Sequence, residues 1–316
     1  PMDFIIIFRM YFLTFIAAMM RNRISNESAV GIRAQSMEWS RMAKHLRSKG
    51  HKIIAGDFSN YDGTLHPTIL WAIYDLIEQF YFYHGLTTDA DRNVRRALWE
   101  AVVNSKHQAG PWQYQLNHSQ PSGNPMTAIL NTMYNSIVCR YAFYSIYAPE
   151  TVFTDYVAME SYGDDNVLNV SDEVPAFTQE RMAEVLATIG MTYTDETKSS
   201  NLGYKTLDQV GFLKRGFKFV PDLGATLCPL EIPSILECFN WISNPQIEPE
   251  IMKQNAEMAF AELSMHPLEV FSHWSKKIVD ALRHYDHTVI PLSHTAYRHM
   301  VLTGELIQLV PALEWA

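Results

Sequence analysis

A chain of 316 residues, 47% hydrophobic and 19% charged, has room for a large core arranged as one multi-lobed domain or two. It shows no low-complexity tract and no internal repeat, and its three cysteines (Cys139, Cys228, Cys238), with no CxxC pair, point to a reducing compartment and mostly buried thiols. A net charge of −9 weighs against a surface that is basic all over, which is how many proteins grip nucleic acid.

Residues 4–18 are strongly apolar, Phe4-Ile-Ile-Ile-Phe8 followed by Tyr11-Phe-Leu-Thr-Phe-Ile-Ala-Ala18. A membrane span needs about 20 apolar residues with few charges. Here Asp3 and Arg9 interrupt the run and Arg21 and Arg23 follow it, so the segment reads as a buried core helix, without a signal-peptide layout. His51–Phe58 reads as a buried strand, Ser59-Asn-Tyr-Asp-Gly63 as a turn, and Pro67 opens an apolar helix running to about Tyr83, whose aromatics read as core. Residues 84–115 are more polar, helix then hairpin, and look like an insertion. A loop at Gln120-Pro-Ser-Gly123 leads into a helix from about Pro125 to Tyr147.

Tyr156–Ser161 and Asn166–Val170 read as the two arms of a hairpin with Tyr162-Gly-Asp-Asp165 at its tip. Met182, Val185, Leu186 and Ile189 then recur with helical spacing, and Gly190 stops that helix. A strand at Met191–Tyr193 and a hairpin around Val210–Val220 follow. From Ala225 to Thr303 there is no glycine, and prolines alone punctuate the helical runs. The C-terminal histidines (His273, His284, His287, His294, His299) have no cysteine or regular ligand spacing beside them and read as surface or packing residues. The fold class is α+β, an α+β centre with a helical C-terminal lobe.

Adjacent aspartates at a hairpin tip concentrate negative charge, which is costly unless a cation neutralises it. Asp57 ends the strand His51–Phe58, and Asp62 lies beyond the turn. If that strand pairs beside the Asp164-Asp165 hairpin, three carboxylates converge. Two ions about 3.5–4 Å apart can clamp both oxygens of a phosphoryl displacement, and magnesium prefers such hard ligands. Gly163 lets the turn take a conformation that a side chain hinders. Taken singly, Asp57 is also an ordinary strand-end residue and Asp164-Asp165 an ordinary solvated tip, and the carboxylates alone leave both readings open.

The wording around them goes further. Gly56-Asp-Phe-Ser-Asn-Tyr-Asp62, Pro121-Ser-Gly-Asn-Pro-Met-Thr-Ala-Ile-Leu-Asn131 and Tyr162-Gly-Asp-Asp165 resemble, in order and spacing, motifs A, B and C of the RNA-dependent RNA polymerases of positive-strand RNA viruses. Phe212-Leu-Lys-Arg215 resembles motif E, and Lys198, in Thr194-Asp-Glu-Thr-Lys-Ser199, falls where motif D keeps its lysine. The resemblance spans at least residues 51–220 and is to the picorna-like order, in its dicistrovirus- and iflavirus-like branches.

The resemblance implies a right-hand fold of fingers, palm and thumb, with an RRM-like antiparallel palm sheet flanked by helices. Residues 1–50 would be partial fingers, 51–83 and 116–220 palm, 84–115 a fingers insertion and 221–316 a helical thumb. It implies two magnesium ions, for which manganese can substitute, on Asp57, the backbone carbonyl of Phe58, Asp164 and Asp165. Lys198 would protonate departing pyrophosphate. Asp62, Ser122, Gly123, Thr127 and Asn131 would bind the nucleotide and read its 2′-hydroxyl, a group that both donates and accepts. Reverse transcriptases carry an aromatic side chain at the position matching Asp62, so Asp62 argues for ribonucleotides. Leu213, Lys214 and Arg215 would hold the primer backbone; a charged hairpin edge is the plainer reading of the last two.

The implied partners are RNA template and primer, ribonucleoside triphosphates, a genome-linked protein primer and other viral replication proteins, with no stable membrane span. The implied location is the host cytoplasm, at membrane-associated replication complexes. The family's basic motif F precedes the segment resembling Pro1–Arg23, so the chain reads as N-terminally truncated. Its loss would account for part of the acidic balance and leave the fragment weakly active or inactive. Other readings stand beside this one: a reverse-transcriptase-like palm enzyme, a non-catalytic RNA-binding module derived from a polymerase, and a membrane-anchored replication factor resting on residues 4–20.

Overall fold

The computed structural model describes residues 2–117, 120–195, 203–241, 248–285 and 287–304. The chain gathers into two compact units, Pro1–Ile32 with His45–Leu207 and Arg33–Lys44 with Asp208–Ala316. The division at Leu207 falls ahead of the boundary at 220 read from the sequence, and residues 33–44 go with the later part of the chain.

The first unit is built on a four-stranded antiparallel sheet in the order β4-β5-β1-β6, with β1 Lys52–Ser59, β4 Val157–Tyr162, β5 Asp165–Val170 and β6 Thr192–Asp195. Its helices are α1 (Met2–Arg21), α3 (Pro67–Tyr83), α4 (Asp89–Val103), α5 (Thr127–Tyr144), the short α6 (Phe153–Tyr156) and α7 (Gln179–Ala187). A small hairpin, β2 (Lys106–Ala109) with β3 (Trp112–Gln115), follows α4. The remaining helix before the sheet, α2 (Met37–His45), runs from one unit into the other.

Ile54 on β1 and Leu168 on β5 are register partners, and both face the core that also holds Ile129, Leu130 and Tyr134 of α5 and Met182 and Leu186 of α7. Alternation along a strand therefore puts Gly56 and Phe58 on that same face and Ile53, Ala55 and Asp57 on the other. The outer edge of β4 is not left open. Ser28 bridges Ser161, Ala29 N–H donates to the Ser161 carbonyl at 2.8 Å, and Ser161 N–H donates to the Glu27 carbonyl at 3.0 Å. Pairing there blocks a ready site for edge-to-edge association.

Helix α1 is long and apolar enough to cross a membrane by length and composition. Phe8, Phe12, Phe15 and Ile16 are buried in the first unit's core, with Phe12 6.0 Å from the Trp99 ring of α4. Its other side, with Met2 and Met10, is exposed. Helix α3 buries Ile73, Tyr74, Ile77 and Tyr81, as a core helix should, and exposes Phe82 and Tyr83 at its end. Helix α5 starts at Thr127 rather than Pro125, because Asn124 Oδ1 first accepts the Met126 N–H at 2.7 Å and shapes the entry turn. Cys139 is buried in the same core.

The second unit holds a two-stranded hairpin, β7 (Lys218–Val220) with β8 (Ala225–Leu227), then α8 (Ile232–Leu236), α9 (Glu248–Leu263), α10 (Leu268–His284) and α11 (His294–Thr303). The hairpin expected at 210–220 is therefore displaced along the chain. Pro221 and Gly224, the latter at φ +58°, supply its turn, while the expected region holds a separate tight turn at Phe212–Arg215. Trp39 of α2 is fully buried in this unit, stacked on Phe217 with centroids 4.9 Å apart. Cys228 is buried there and Cys238 half-buried.

Candidate active site

Strand β1 lies beside β5, in antiparallel register from Lys52↔Val170 to Gly56↔Asn166. The paired stretch ends one residue before Asp57 and one residue after Asp165, so the two lie at the same end of the β1–β5 pair. Alternation along β1 turns Asp57 to the sheet face away from α5. Asp164 stands in the two-residue turn closed by the pair Tyr162↔Asp165. Gly163, at φ +66°, takes the first central position of that turn, where a primed hairpin turn favours glycine. The condition set by the sequence, that the Asp57 strand pair beside the Asp-Asp hairpin, is met.

The turn is held from beneath by α5. Gly163 N–H donates to Thr132 Oγ1 at 2.8 Å, and the Asn135 side-chain amide donates to the carbonyls of Gly163 and Asp164 at 3.1 and 2.9 Å. Both α5 residues are buried. Sequence reading missed Thr132 and Asn135, although their helical spacing from Asn131 (i+1 and i+4) and the asparagine chemistry beside a metal-type turn were there to be read.

Asp62 is placed by a different device. After β1, Asn60 adopts a left-handed conformation at φ 51° and Tyr61–Gly63 forms a short 3₁₀ turn. Buried Tyr61 anchors that turn, its hydroxyl donating to the Asn131 carbonyl at 2.8 Å. The carboxylate of Asp62 then accepts twice: from the Ser122 hydroxyl at 2.9 Å and from the Asn131 side-chain amide at 3.1 Å. Three of the five residues expected to bind nucleotide are thus joined.

The other two are placed differently. Thr127 turns its hydroxyl back on the entry loop, donating to the Asn124 carbonyl at 2.8 Å. Gly123 borders open space.

Phe58, Asn60, Tyr61, Asp62, Asn131 and Asp164 line one polar hollow of about 280 Å³. Solvent reaches Asp164 there, yet enough protein surrounds it that lost hydration is the first cause raising its carboxyl above the usual range. The neighbouring carboxylates Asp57 and Asp62 push it the same way, against the backbone N–H groups that hold it down. Asn131 Oδ1 is buried with no hydrogen-bond partner among the described residues. The hollow therefore gathers carboxylate oxygens beside one acceptor that has no donor among the described residues.

Among the described residues, no three His, Cys, Asp or Glu side chains are gathered closely enough to hold an ion by themselves. The donor chemistry still suits magnesium, which keeps waters and substrate phosphates in its shell and binds through one or two carboxylates. Lys198 lies outside the described residues.

The expected primer-holding residues belong to the second unit. Phe212 and Arg215 exchange two backbone hydrogen bonds of 2.9 Å around Leu213 and Lys214. The Arg215 guanidinium makes a two-pronged pair with Glu262 at 2.7 and 2.6 Å and is largely buried. Lys214 is exposed.

The family model that matches the chain is that of the viral RNA-dependent RNA polymerase, over residues 1–284. The replicase polyprotein of Drosophila C virus is 41% identical over 286 residues, covering 86% of this chain and 16% of that protein. That of acute bee paralysis virus is 41% identical over 299 residues, covering 89% of this chain and 15% of the relative. Among solved structures, the Sicinivirus 3Dpol RNA-dependent RNA polymerase superposes with a TM-score of 0.80 at 19% identity, over 96% of this chain and 61% of that one. The chain thus spans about a sixth of the length of these curated relatives. It shares the polymerase fold, and it belongs to the viral RNA-dependent RNA polymerase family.

Proposed function

We infer that the first unit carries the palm of a polymerase that replicates a positive-strand viral RNA genome by template-directed addition of ribonucleotides. The observation that carries this is the single hollow in which Asp62, Asn131 and Asp164 meet beside the β1–β5 pair. The reaction is attack of a primer 3′-hydroxyl on the α-phosphate of an incoming nucleotide, releasing pyrophosphate. Catalysis of this kind rests on positioning and charge stabilisation.

Asp57, Asp164, Asp165 and the Phe58 carbonyl are the oxygen donors for two magnesium ions. Bound there, the ions supply the positive charge that the attacking and leaving oxygens need. Asp62 and Asn131 bind the ribose: the 2′-hydroxyl donates to Asp62, and the Ser122 hydroxyl and the Asn131 amide steady the carboxylate. Lys198 is the proton donor to pyrophosphate. Lys214 contacts the primer backbone, and Arg215, fixed on Glu262, sets the turn that presents it. RNA template and primer, ribonucleoside triphosphates, a protein primer and other replication proteins are the partners, at membrane-associated complexes in the host cytoplasm.

The test is primer extension on a homopolymer RNA with magnesium, by the polymerase that carries this segment. Asp164→Ala should cut incorporation by roughly 10²–10³-fold or more. Equal incorporation by the variant and the parent would remove Asp164 from the reaction.

A further inference from the structure

Behind the metal-binding turn runs a line of buried polar side chains. The Tyr193 hydroxyl donates to Asn166 Oδ1 at 2.7 Å. The Asn166 amide donates to Asn135 Oδ1 at 3.2 Å. The Asn135 amide then donates to the carbonyls of Asp164 and Gly163 at 2.9 and 3.1 Å. Tyr193 is 4% exposed, Asn166 1% and Asn135 0%. The line begins on β6, passes over β1, takes in β5 and α5, and ends on the backbone that carries Asp164.

Its direction is fixed. Were the Asn135 amide reversed, its oxygen would face two carbonyl oxygens and its NH₂ would face the NH₂ of Asn166. Cys139 Sγ–H donates to Asn135 Oδ1 at 3.5 Å in the observed sense. Each donor polarises the next, an effect that grows in a low-dielectric interior.

The approach that makes it possible is also built in. A Cβ at Gly56 would lie 2.0 Å from the Tyr193 ring and hydroxyl, so only glycine lets this side chain lie across β1 to reach Asn166.

We propose that Tyr193, acting through Asn166 and Asn135, is a positioning residue that fixes the Gly163–Asp164 turn for metal binding. This rests on the reading of Asp164 as a metal ligand. Hydrogen bonds that orient a ligand from behind commonly alter metal affinity by ten- to a hundredfold when removed. Tyr193→Phe deletes one hydroxyl and keeps the ring, and Asn166→Leu breaks the line at its middle with a side chain of similar size.

The probe is Mn²⁺, followed by the electron paramagnetic resonance signal of the free ion during titration of the polymerase that contains this chain. Melting temperature is recorded alongside. Each variant should weaken Mn²⁺ binding by roughly tenfold. Tyr193→Phe should do so while melting within a few degrees of the parent. Because both act on one line, the double variant should bind no more than about twofold weaker than the worse single one.

Asp164→Ala is the reference. If it loses Mn²⁺ while Tyr193→Phe binds as the parent does, the positioning role is overturned and the metal assignment stands. If the effects of the two relay variants multiply in the double, they act separately and the line is overturned as well. If Asp164→Ala binds Mn²⁺ as the parent does, the ligand reading and the positioning role both fall.

Discussion

The side-chain amide of Asn131 donates to one carboxylate oxygen of Asp62 at 3.1 Å, and its own oxygen, buried, has no partner among the described residues. Ser122 occupies the other oxygen of Asp62 at 2.9 Å. A ribose hydroxyl is the group this arrangement suits, since it can fill an acceptor with its proton and still accept from elsewhere. A deoxyribose has no proton to give the Asp62 carboxylate, and a hydrogen bond to a charged group is worth about 1.5–3 kcal/mol. Asp62→Ala and Asn131→Ala should therefore each reduce the preference for UTP over dUTP by roughly tenfold. The measurement is kcat/KM for both nucleotides. An unchanged ratio in both variants would remove the pair from sugar recognition.

Gly56 and the Tyr193 ring form the tightest packing constraint in the site, 2.0 Å for an added Cβ. Gly56→Ala must displace the ring, and overpacking of this kind costs about 1–3 kcal/mol. The effect should depend on the ring. In a Tyr193→Ala background, adding Gly56→Ala should lower the melting temperature by much less than it does alone. Equal losses in both backgrounds would mean that the glycine serves the backbone of β1 and not the tyrosine.

Local chemistry made much of this fold readable in the sequence. Pro67 at the first turn and a long, mainly apolar run gave helix α3 its bounds, Pro67–Tyr83, and glycine in a two-residue loop marked the Asp164 turn. The motif wording then joined Asp57, Asp62, Asn131 and Asp164. Asn135, Asn166 and Tyr193 escaped because their role depends on strand register and on which helix lies beneath, and neither follows from spacing alone. Arg215 looked like a free basic side chain for the same reason: its partner, Glu262, lies far along the chain in α9. The displaced hairpin at Lys218–Leu227 shows a local ambiguity, with two adjacent turns competing for one stretch of alternating residues.

The turn at Leu213-Lys214 puts two residues with side chains in succession in the left-handed region, at φ 55° and 58°. Two-residue turns of this form favour Asn-Gly, and each residue with a side chain held there costs about 1–2 kcal/mol. Leu213→Asn/Lys214→Gly should raise the melting temperature. The same variant removes the exposed cation, so primer affinity should fall and its dependence on log salt concentration should flatten by about one unit. Leu213→Asn alone separates the two effects, keeping the salt slope while gaining part of the stability. A double variant that melts no higher than the parent would show that the local chain already relieves the turn.

Glu160, on β4, is fully buried, and neither carboxylate oxygen has a hydrogen-bond partner among the described residues. His45 Nε2 lies 3.9 Å away. Burial, reinforced by the negative charge of Glu27, pushes the Glu160 carboxyl from 4.5 up to about 9. The folded state therefore keeps a proton that the unfolded chain releases above about 4.5. The stability this contributes is complete below that pH and is lost as pH rises towards about 9.

His45 acts in the opposite sense and at lower pH. Burial, the largest cause, and Lys49 depress its value, against Glu27 and a backbone bond that raise it, so its contribution grows as pH approaches 6.5 and is constant above. Between pH 7 and 9 Glu160 therefore contributes a slope of up to about 1.4 kcal/mol per pH unit, joined near pH 9 by the thiols of Cys139, Cys228 and Cys238, which burial also raises. Glu160→Gln keeps the shape and removes the titration. Parent and variant should melt closely together at pH 5, and the variant should melt several degrees higher at pH 9. Melting curves that fall in parallel from pH 7 to 9 would show that the carboxyl is already ionised in the folded protein.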